Sequence, residues 1–246
     1  MSKSLRIGAC QTPEILGDVD GAISCIEEFA KDAESQGVDL LLFPECFLQG
    51  YFVTKKHLER YAIDFGSPDF DVILRRLAHI RPTLVFGVIE RLGAELYNSV
   101  AIVDKGKLIG TYRKTYLVPG EALFKAGDSY PVFDHRGVKY GVNICYDTNF
   151  PNAAAPLAKQ GARVLLVSAQ NMMKRESAEK WKRRHNEIRA DRVKETGMWL
   201  VSADVTGERD ESHIGYGPTA VINPAGEVVA QVPLMETGMV IAEIEV

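Results

Sequence analysis

In Gly141-Val142-Asn143-Ile144-Cys145-Tyr146-Asp147 an apolar run reads as a buried strand that stops at a thiol followed by polar residues. Two other segments share this form. Leu40-Leu41-Leu42-Phe43-Pro44-Glu45 carries an apolar strand to a carboxylate, and Tyr112-Arg113-Lys114-Thr115-Tyr116 sets a lysine just after an apolar stretch. A thiol, a carboxylate and an ammonium at three strand ends can converge in one pocket. Such a set supports nucleophilic acyl chemistry without histidine or metal.

Outward from these segments, strands and helices alternate. Residues 5–9 read as a strand and 18–36 as a helix that Gly37 caps. A buried strand is expected at 38–43. Ser67-Pro68 opens a helix over 67–80, and a strand follows at 84–89. Residues 98–104 and 107–112 form a hairpin around Lys105-Gly106. Strands at 138–144 and 164–168 flank a helix at 152–160. One long helix is expected over 176–196, then a strand at 198–203. The charged stretch 204–213 reads as a mobile segment. A meander at 217–222, 227–232 and 239–244 closes the chain, turning at Asn223-Pro224-Ala225-Gly226. No internal repeat or Ser/Gly-rich linker interrupts this order, so 1–246 is expected to form a single domain. βα units mixed with hairpins argue for an α/β (α+β) fold of mixed sheets with helices outside.

Composition excludes several classes. A hydrophobic content of 46% with 25% charged residues is ordinary for a globular protein. A formal charge of -4 leaves no footprint for nucleic acid or an anionic membrane. Lys180, Lys182, Arg183 and Arg184 are interleaved with Glu176, Glu179, Glu187 and Asp191, the pattern of a solvated helix face. No apolar stretch approaches the roughly 20 residues of a transmembrane helix, and the first residues lack a signal-peptide core. Cys10, Cys25, Cys46 and Cys145 show neither C-x-x-C spacing nor a zinc-like pairing with histidine. Reduced thiols in a cytoplasmic protein without metal or cofactor are expected.

A free thiol titrates near pH ~8.5, so a catalytic cysteine needs a base or a positive neighbour. None of His57, His79, His135, His185 and His213 stands in a motif-like setting. Glu45 can act as the base if burial raises its pKa. Lys114 stays cationic and can donate to a developing oxyanion, with the backbone N–H of Tyr146 as a second donor. A lone buried cysteine is usually inert, and Cys10, Cys25 and Cys46 are assigned that role.

These segments resemble the nitrilase superfamily of carbon–nitrogen hydrolases. Its members carry blocks like Phe43-Pro44-Glu45 with Gly50-Tyr51, like Tyr112–Leu117 followed by Pro119-Gly120-Glu121, and like Gly141–Asp147 followed by Phe150-Pro151. The similarity runs from Leu5 to about Ile244. It implies a four-layer α-β-β-α sandwich and homodimers or larger homo-oligomers built face to face. It implies Cys145 as nucleophile, Glu45 as general base, Lys114 as oxyanion stabiliser and Glu121 as a second glutamate that positions groups. Tyr51, Tyr146, Asn149, Asn171 and Met172 are the expected substrate-binding residues. The family commonly has arginine and glutamate where this chain has Asn149 and Asn152, and Arg175 or Arg184 could take the arginine's place.

The expected activity is hydrolysis, through a thioester, of a linear non-peptide C–N bond in an aliphatic amide, an ω-amide or an N-carbamoyl amine. A nitrilase and a non-catalytic ligand-binding or scaffold protein are the alternatives. The nitrilase branch typically has Trp-Glu after the cysteine, whereas this chain has Tyr146-Asp147. Acyl transfer from the thioester stays open. A membrane-bound acyltransferase and a glutaminase domain feeding a synthetase are not expected.

Overall fold

Two mixed sheets share one strand, and that strand governs where the site forms. The computed structural model describes residues 4–245. The first sheet contains β1 (Ser4–Pro13), β2 (Leu40–Leu42), β3 (Thr83–Leu92), β4 (Glu95–Asp104) and β5 (Lys107–Arg113), in the order β5-β4-β3-β2-β1. β1, β2 and β3 are parallel. The helix α1 (Val19–Ser35) joins the first two strands, and α2 (Lys55–Tyr61) with α3 (Pro68–Leu77) joins the next two. β3, β4 and β5 form antiparallel hairpins. The second sheet begins with β6 (Val132–His135), β7 (Val138–Ile144) and β8 (Val164–Ser168), with α4 (Pro151–Lys159) crossing between β7 and β8. Then come β9 (Met173–Lys174), α5 (Arg175–Trp181), α6 (Arg184–Thr196) and β10 (Trp199–Glu208). β11 (His213–Tyr216), β12 (Ala220–Ile222), β13 (Val228–Gln231) and β14 (Gly238–Glu245) complete the order.

β10 serves both sheets. Residues 199–203 run parallel to β8 and, over 200–202, antiparallel to β12. From Asp204 onward the strand leaves those partners and pairs with β1 and β11. The period-2 alternation of strand side chains then builds the layers. Leu5, Ile7, Leu40 and Leu42 of one sheet meet Tyr140, Val142, Ile144 and Leu166 of the other in the interior. The opposite faces bury Leu41, Phe43, Leu84 and Phe86 against α1 and α3, and Leu165, Val167 and Leu200 against α4 and α6. The result is the α-β-β-α sandwich.

Local signals act where they were read. Asp18 caps α1 by accepting from Gly21 N at 2.9 Å, and Gly37 leaves the helix end at φ 68°. Ser67 caps α3 by accepting from Phe70 N at 3.2 Å. Two expectations are corrected. The helix over 176–196 is two helices, because α5 packs on β9 and β11 while α6 packs on α4, β10 and β12. No glycine or proline marks that break. The segment 204–213 is not loose: Asp204 is fully buried, and β10 continues to Glu208 paired with β11. Among the described residues no helix is long and apolar enough to cross a membrane.

Candidate active site

Glu45 sits on a tight turn just beyond β2. The next residue, Cys46, takes φ 47°, a conformation that L residues adopt at a cost. Three contacts hold the turn. Gly87 N donates to Pro44 O at 3.0 Å, Leu48 N donates to Gly87 O at 3.0 Å, and Glu45 N donates to Ala169 O at 3.2 Å. A Cβ on Gly87 would lie 2.1 Å from Cys46 N, so only glycine permits this approach. Ser168 Oγ also donates to Phe43 O at 2.9 Å. The ends of β2 and β8 are thereby tied together across the two sheets.

Lys114 lies one residue past β5 and is 2% exposed. Its Nζ donates to Glu45 Oε1 at 2.7 Å and to Glu121 Oε1 at 3.0 Å. Asn98 of β4 repeats the bridge, with Nδ2 2.7 Å from Glu45 Oε1 and 2.8 Å from Glu121 Oε1. Glu45 and Glu121 are themselves buried. Burial, with the charge of Glu121, pushes the Glu45 carboxyl up to about 7 against the opposing pull of Lys114 and Asn98. Burial disfavours the Lys114 ammonium, but Glu45, Cys145 and Glu121 outweigh it and hold the group above the usual lysine range. A carboxyl poised near neutrality beside a permanent cation can exchange a proton at physiological pH.

Cys145 opens a single turn at the end of β7, with φ 41°. Asp147 keeps this turn in shape. Its buried carboxylate accepts from Ile144 N at 2.9 Å, Tyr116 N at 2.8 Å, Thr115 Oγ1 at 3.0 Å and Tyr112 Oη at 2.8 Å. It therefore locks the cysteine turn to the lysine loop. Tyr116 stacks on Phe150 with ring centroids 3.9 Å apart, which closes the same corner. Burial and the charge of Glu45 push the Cys145 thiol well above its ordinary value, opposed by Lys114 and by the backbone N–H of Gln170. At rest this group is therefore a thiol, and any attack through Sγ would first need a base to take its proton.

Beyond the thiol, Asn171 Oδ1 stands 3.7 Å from Cys145 Sγ. A cavity of about 380 Å³ opens from Cys145 and runs past Tyr146, Asn149 and Asn171 to Met173, Trp181 and His185. Most of its surface is apolar. Its buried cation, Arg189, is engaged by Pro218 O at 2.8 Å, Ser202 Oγ at 3.1 Å and Asp204 Oδ2 at 3.4 Å. Burial and Arg189 push His185 down to about 3, so that imidazole is neutral.

The structure brings Glu45, Lys114 and Glu121 into direct contact, with Cys145 beside them. Tyr51 stands on the Lys114 side, its ring centroid 6.0 Å from Nζ. Tyr146, Asn149 and Asn171 line the cavity. Met172 does not. Alternation along the chain turns Asn171 and Met173 to the cavity, while Met172 lines a separate cleft with Glu14 and Arg209. Arg175 binds Glu208 at 3.0 Å, and Arg184 lies over the Trp181 ring, so neither lines the cavity. Asn149 donates to Tyr146 O of its own turn at 3.2 Å, and Asn152 is exposed on α4. Asn98, Arg189 and Asp204 were missed, and Asp147 stood in the cysteine block without an assigned role. A lone acid inside the apolar run Leu200-Val201-Ser202-Ala203-Asp204-Val205 was a usable signal for Asp204; the others had none beyond a polar residue at a strand or helix position.

Known proteins agree with this architecture. The carbon-nitrogen hydrolase family model matches residues 6–246. A nitrilase of Pyrococcus abyssi is 33% identical over 95% of this chain and 86% of its own length. An (R)-stereoselective amidase of Pseudomonas sp. is 30% identical over 78% of this chain and 68% of its own. Among solved structures, a mutant amidase of Nesterenkonia sp. AN1, with acrylamide added at its active-site cysteine, superposes with TM-score 0.81 at 25% identity, over 96% of this chain and 92% of that one. A glutamine-dependent NAD+ synthetase of Acinetobacter baumannii has the same fold at TM-score 0.84 and 24% identity; it is matched over 98% of this chain, which spans 45% of that protein. The chain belongs to the carbon–nitrogen hydrolase family.

Proposed function

We propose that this protein, acting as one domain, hydrolyses linear non-peptide C–N bonds of small amides. One observation carries the proposal: the ammonium of Lys114 is buried between Glu45 and Glu121 at 2.7 and 3.0 Å, beside a thiol that opens on a cavity. Buried ion pairs are poor stabilisers compared with apolar side chains of similar volume. A buried cluster with two carboxylates for one ammonium, next to a cleft, is better explained by chemistry.

In the proposed sequence Glu45 accepts the Cys145 thiol proton as Sγ attacks the amide carbon. Lys114 donates to the resulting oxyanion. Glu45 passes its proton to the nitrogen, the C–N bond breaks, and ammonia or an amine leaves a thioester on Cys145. Glu45 then takes a proton from water as the water oxygen attacks that carbon, and it returns that proton to Sγ as the C–S bond breaks, which releases the acid and restores the thiol. Glu121 shares Lys114 and Asn98 with Glu45, so it fixes both donors.

The cavity favours neutral acyl groups over those ending in a carboxylate. Arg189 is buried and ion-paired with Asp204, and His185 is uncharged, so the inner wall offers no unpaired cation. The match to an amidase supports cleavage of amides, and the match to a protein named as a nitrilase keeps nitriles as the second reading. The test is ammonia release from amides, N-carbamoyl amines and nitriles by wild type and Cys145→Ala. Release by wild type alone is expected, amides leading. Turnover surviving in Cys145→Ala defeats the proposal, and nitriles outrunning amides reverses the order.

A further inference from the structure

Asn171 presents a hydrogen-bond acceptor beside the nucleophile, and its direction is set by a buried chain of contacts. Its Nδ2 donates to Asp204 Oδ2 at 2.5 Å, and its backbone N donates to Asp204 Oδ1 at 2.9 Å. Turning the amide over would press a carbonyl oxygen against a carboxylate oxygen, so electrostatics select one orientation. In that orientation Oδ1 points at Cys145 Sγ, 3.7 Å away. Asp204 has little freedom to move. It accepts from Val205 N at 2.9 Å and from Arg189 at 3.4 Å. Arg189 is anchored in turn to Pro218 O and Ser202 Oγ. Asn171, Asp204 and Arg189 are all buried.

The donor that Asn171 Oδ1 has at rest is the thiol hydrogen. Once the thiol gives up that proton, the acceptor faces the reacting centre without a partner. A buried acceptor left in that condition is costly, and an N–H on the bound substrate removes the cost. The leaving nitrogen becomes a neighbour of Sγ when the tetrahedral adduct forms, so its hydrogens fall within reach of Oδ1.

We infer that Asn171 Oδ1 accepts a hydrogen bond from the nitrogen of the scissile amide and selects amides over the matched esters and nitriles, which have no N–H there. The inference rests on the proposed amide hydrolysis. Asp204 and Arg189 are positioning residues that act through Asn171.

The test compares kcat/KM for a primary amide and for the methyl ester of the same acid. Asn171→Ala is expected to lose about 10- to 100-fold on the amide and little on the ester, so the amide-to-ester ratio collapses. Asp204→Asn removes the carboxylate that orients the Asn171 amide, and its ratio should fall in the same direction. A second readout needs no turnover: the rates at which acrylamide and methyl acrylate alkylate Cys145, each divided by the rate with free glutathione. The normalised preference for acrylamide should fall in Asn171→Ala. Equal losses on both substrates, or unchanged ratios in both assays, overturn the inference. Wild-type amide turnover that survives in Cys145→Ala defeats instead the reaction on which it rests.

Discussion

Replacing Asn98 with leucine should move the acid limb of the pH–rate profile toward alkaline pH while leaving the plateau largely in place. Asn98 Nδ2 donates to Glu45 at 2.7 Å and to Glu121 at 2.8 Å, and leucine fills a similar volume with no donor. Hydrogen bonds to charged groups contribute about 1.5–3 kcal/mol, and 1.36 kcal/mol corresponds to one pKa unit. The sign follows from the charge: the lost bond stabilised the ionised carboxylate, so its removal favours the protonated form. With Glu45 near 7 in the wild type, the limb should shift to about 8–9 in Asn98→Leu. Above the new limb Lys114 and Cys145 are intact, and kcat/KM should recover to within about tenfold. The assay is kcat/KM for a reactive amide from pH 5 to 10, with thermal melting of both proteins as a control for folding. A limb that stays near 7 would show that Glu45 is not the titrating base, and a plateau lost at every pH would show that Asn98 holds the geometry rather than the proton.

Glu45→Gln should abolish turnover yet alter how stability varies with pH. The wild-type carboxyl is raised from 4.5 to about 7, so the folded state binds the proton more tightly and loses stability as pH rises through that window. The variant should escape that loss, worth about 3 kcal/mol by pH 8, in urea titrations at pH 5 and 8; parallel profiles for the two proteins would contradict the raised carboxyl. Gly87→Ala should cut activity and lower Tm together, because its Cβ meets Cys46 N at 2.1 Å and the Glu45 turn must move; an alanine variant with full activity would refute the close approach. Asp147→Ala removes the carboxylate that ties Ile144 N to Tyr116 N and should reduce kcat by at least about 100-fold, with less effect on KM. Amides with neutral aliphatic or aromatic acyl groups should surpass ω-carboxylate amides of equal length in kcat/KM; the opposite ranking would mean that the exposed Lys174 at the cavity, rather than its inner wall, sets the preference.

Local order along this chain determined a great deal. Apolar runs that stop at Glu45, at Cys145 and just before Lys114 identified strands and the groups at their ends, because strand burial and backbone pairing depend on neighbours in sequence. Caps at Asp18, Ser67 and Gly37 act as their chemistry requires. What tertiary structure decided is whatever depends on partners far along the chain. The crossing of β10 from one sheet to the other makes Asp204 a buried anchor, although the charged run Glu208-Arg209-Asp210-Glu211 that follows gives the whole stretch the look of a loop. The helix over 176–196 breaks because its halves rest on different surfaces, which no residue within it announces. Asn98, 53 positions from Glu45, becomes its partner only when β4 and the β2 turn lie side by side. Meeting of Glu45, Lys114 and Cys145 was legible as a possibility. The proton affinity of Glu45 was not, because it comes from desolvation and from Glu121, Lys114 and Asn98 acting together at distances that only the folded chain sets.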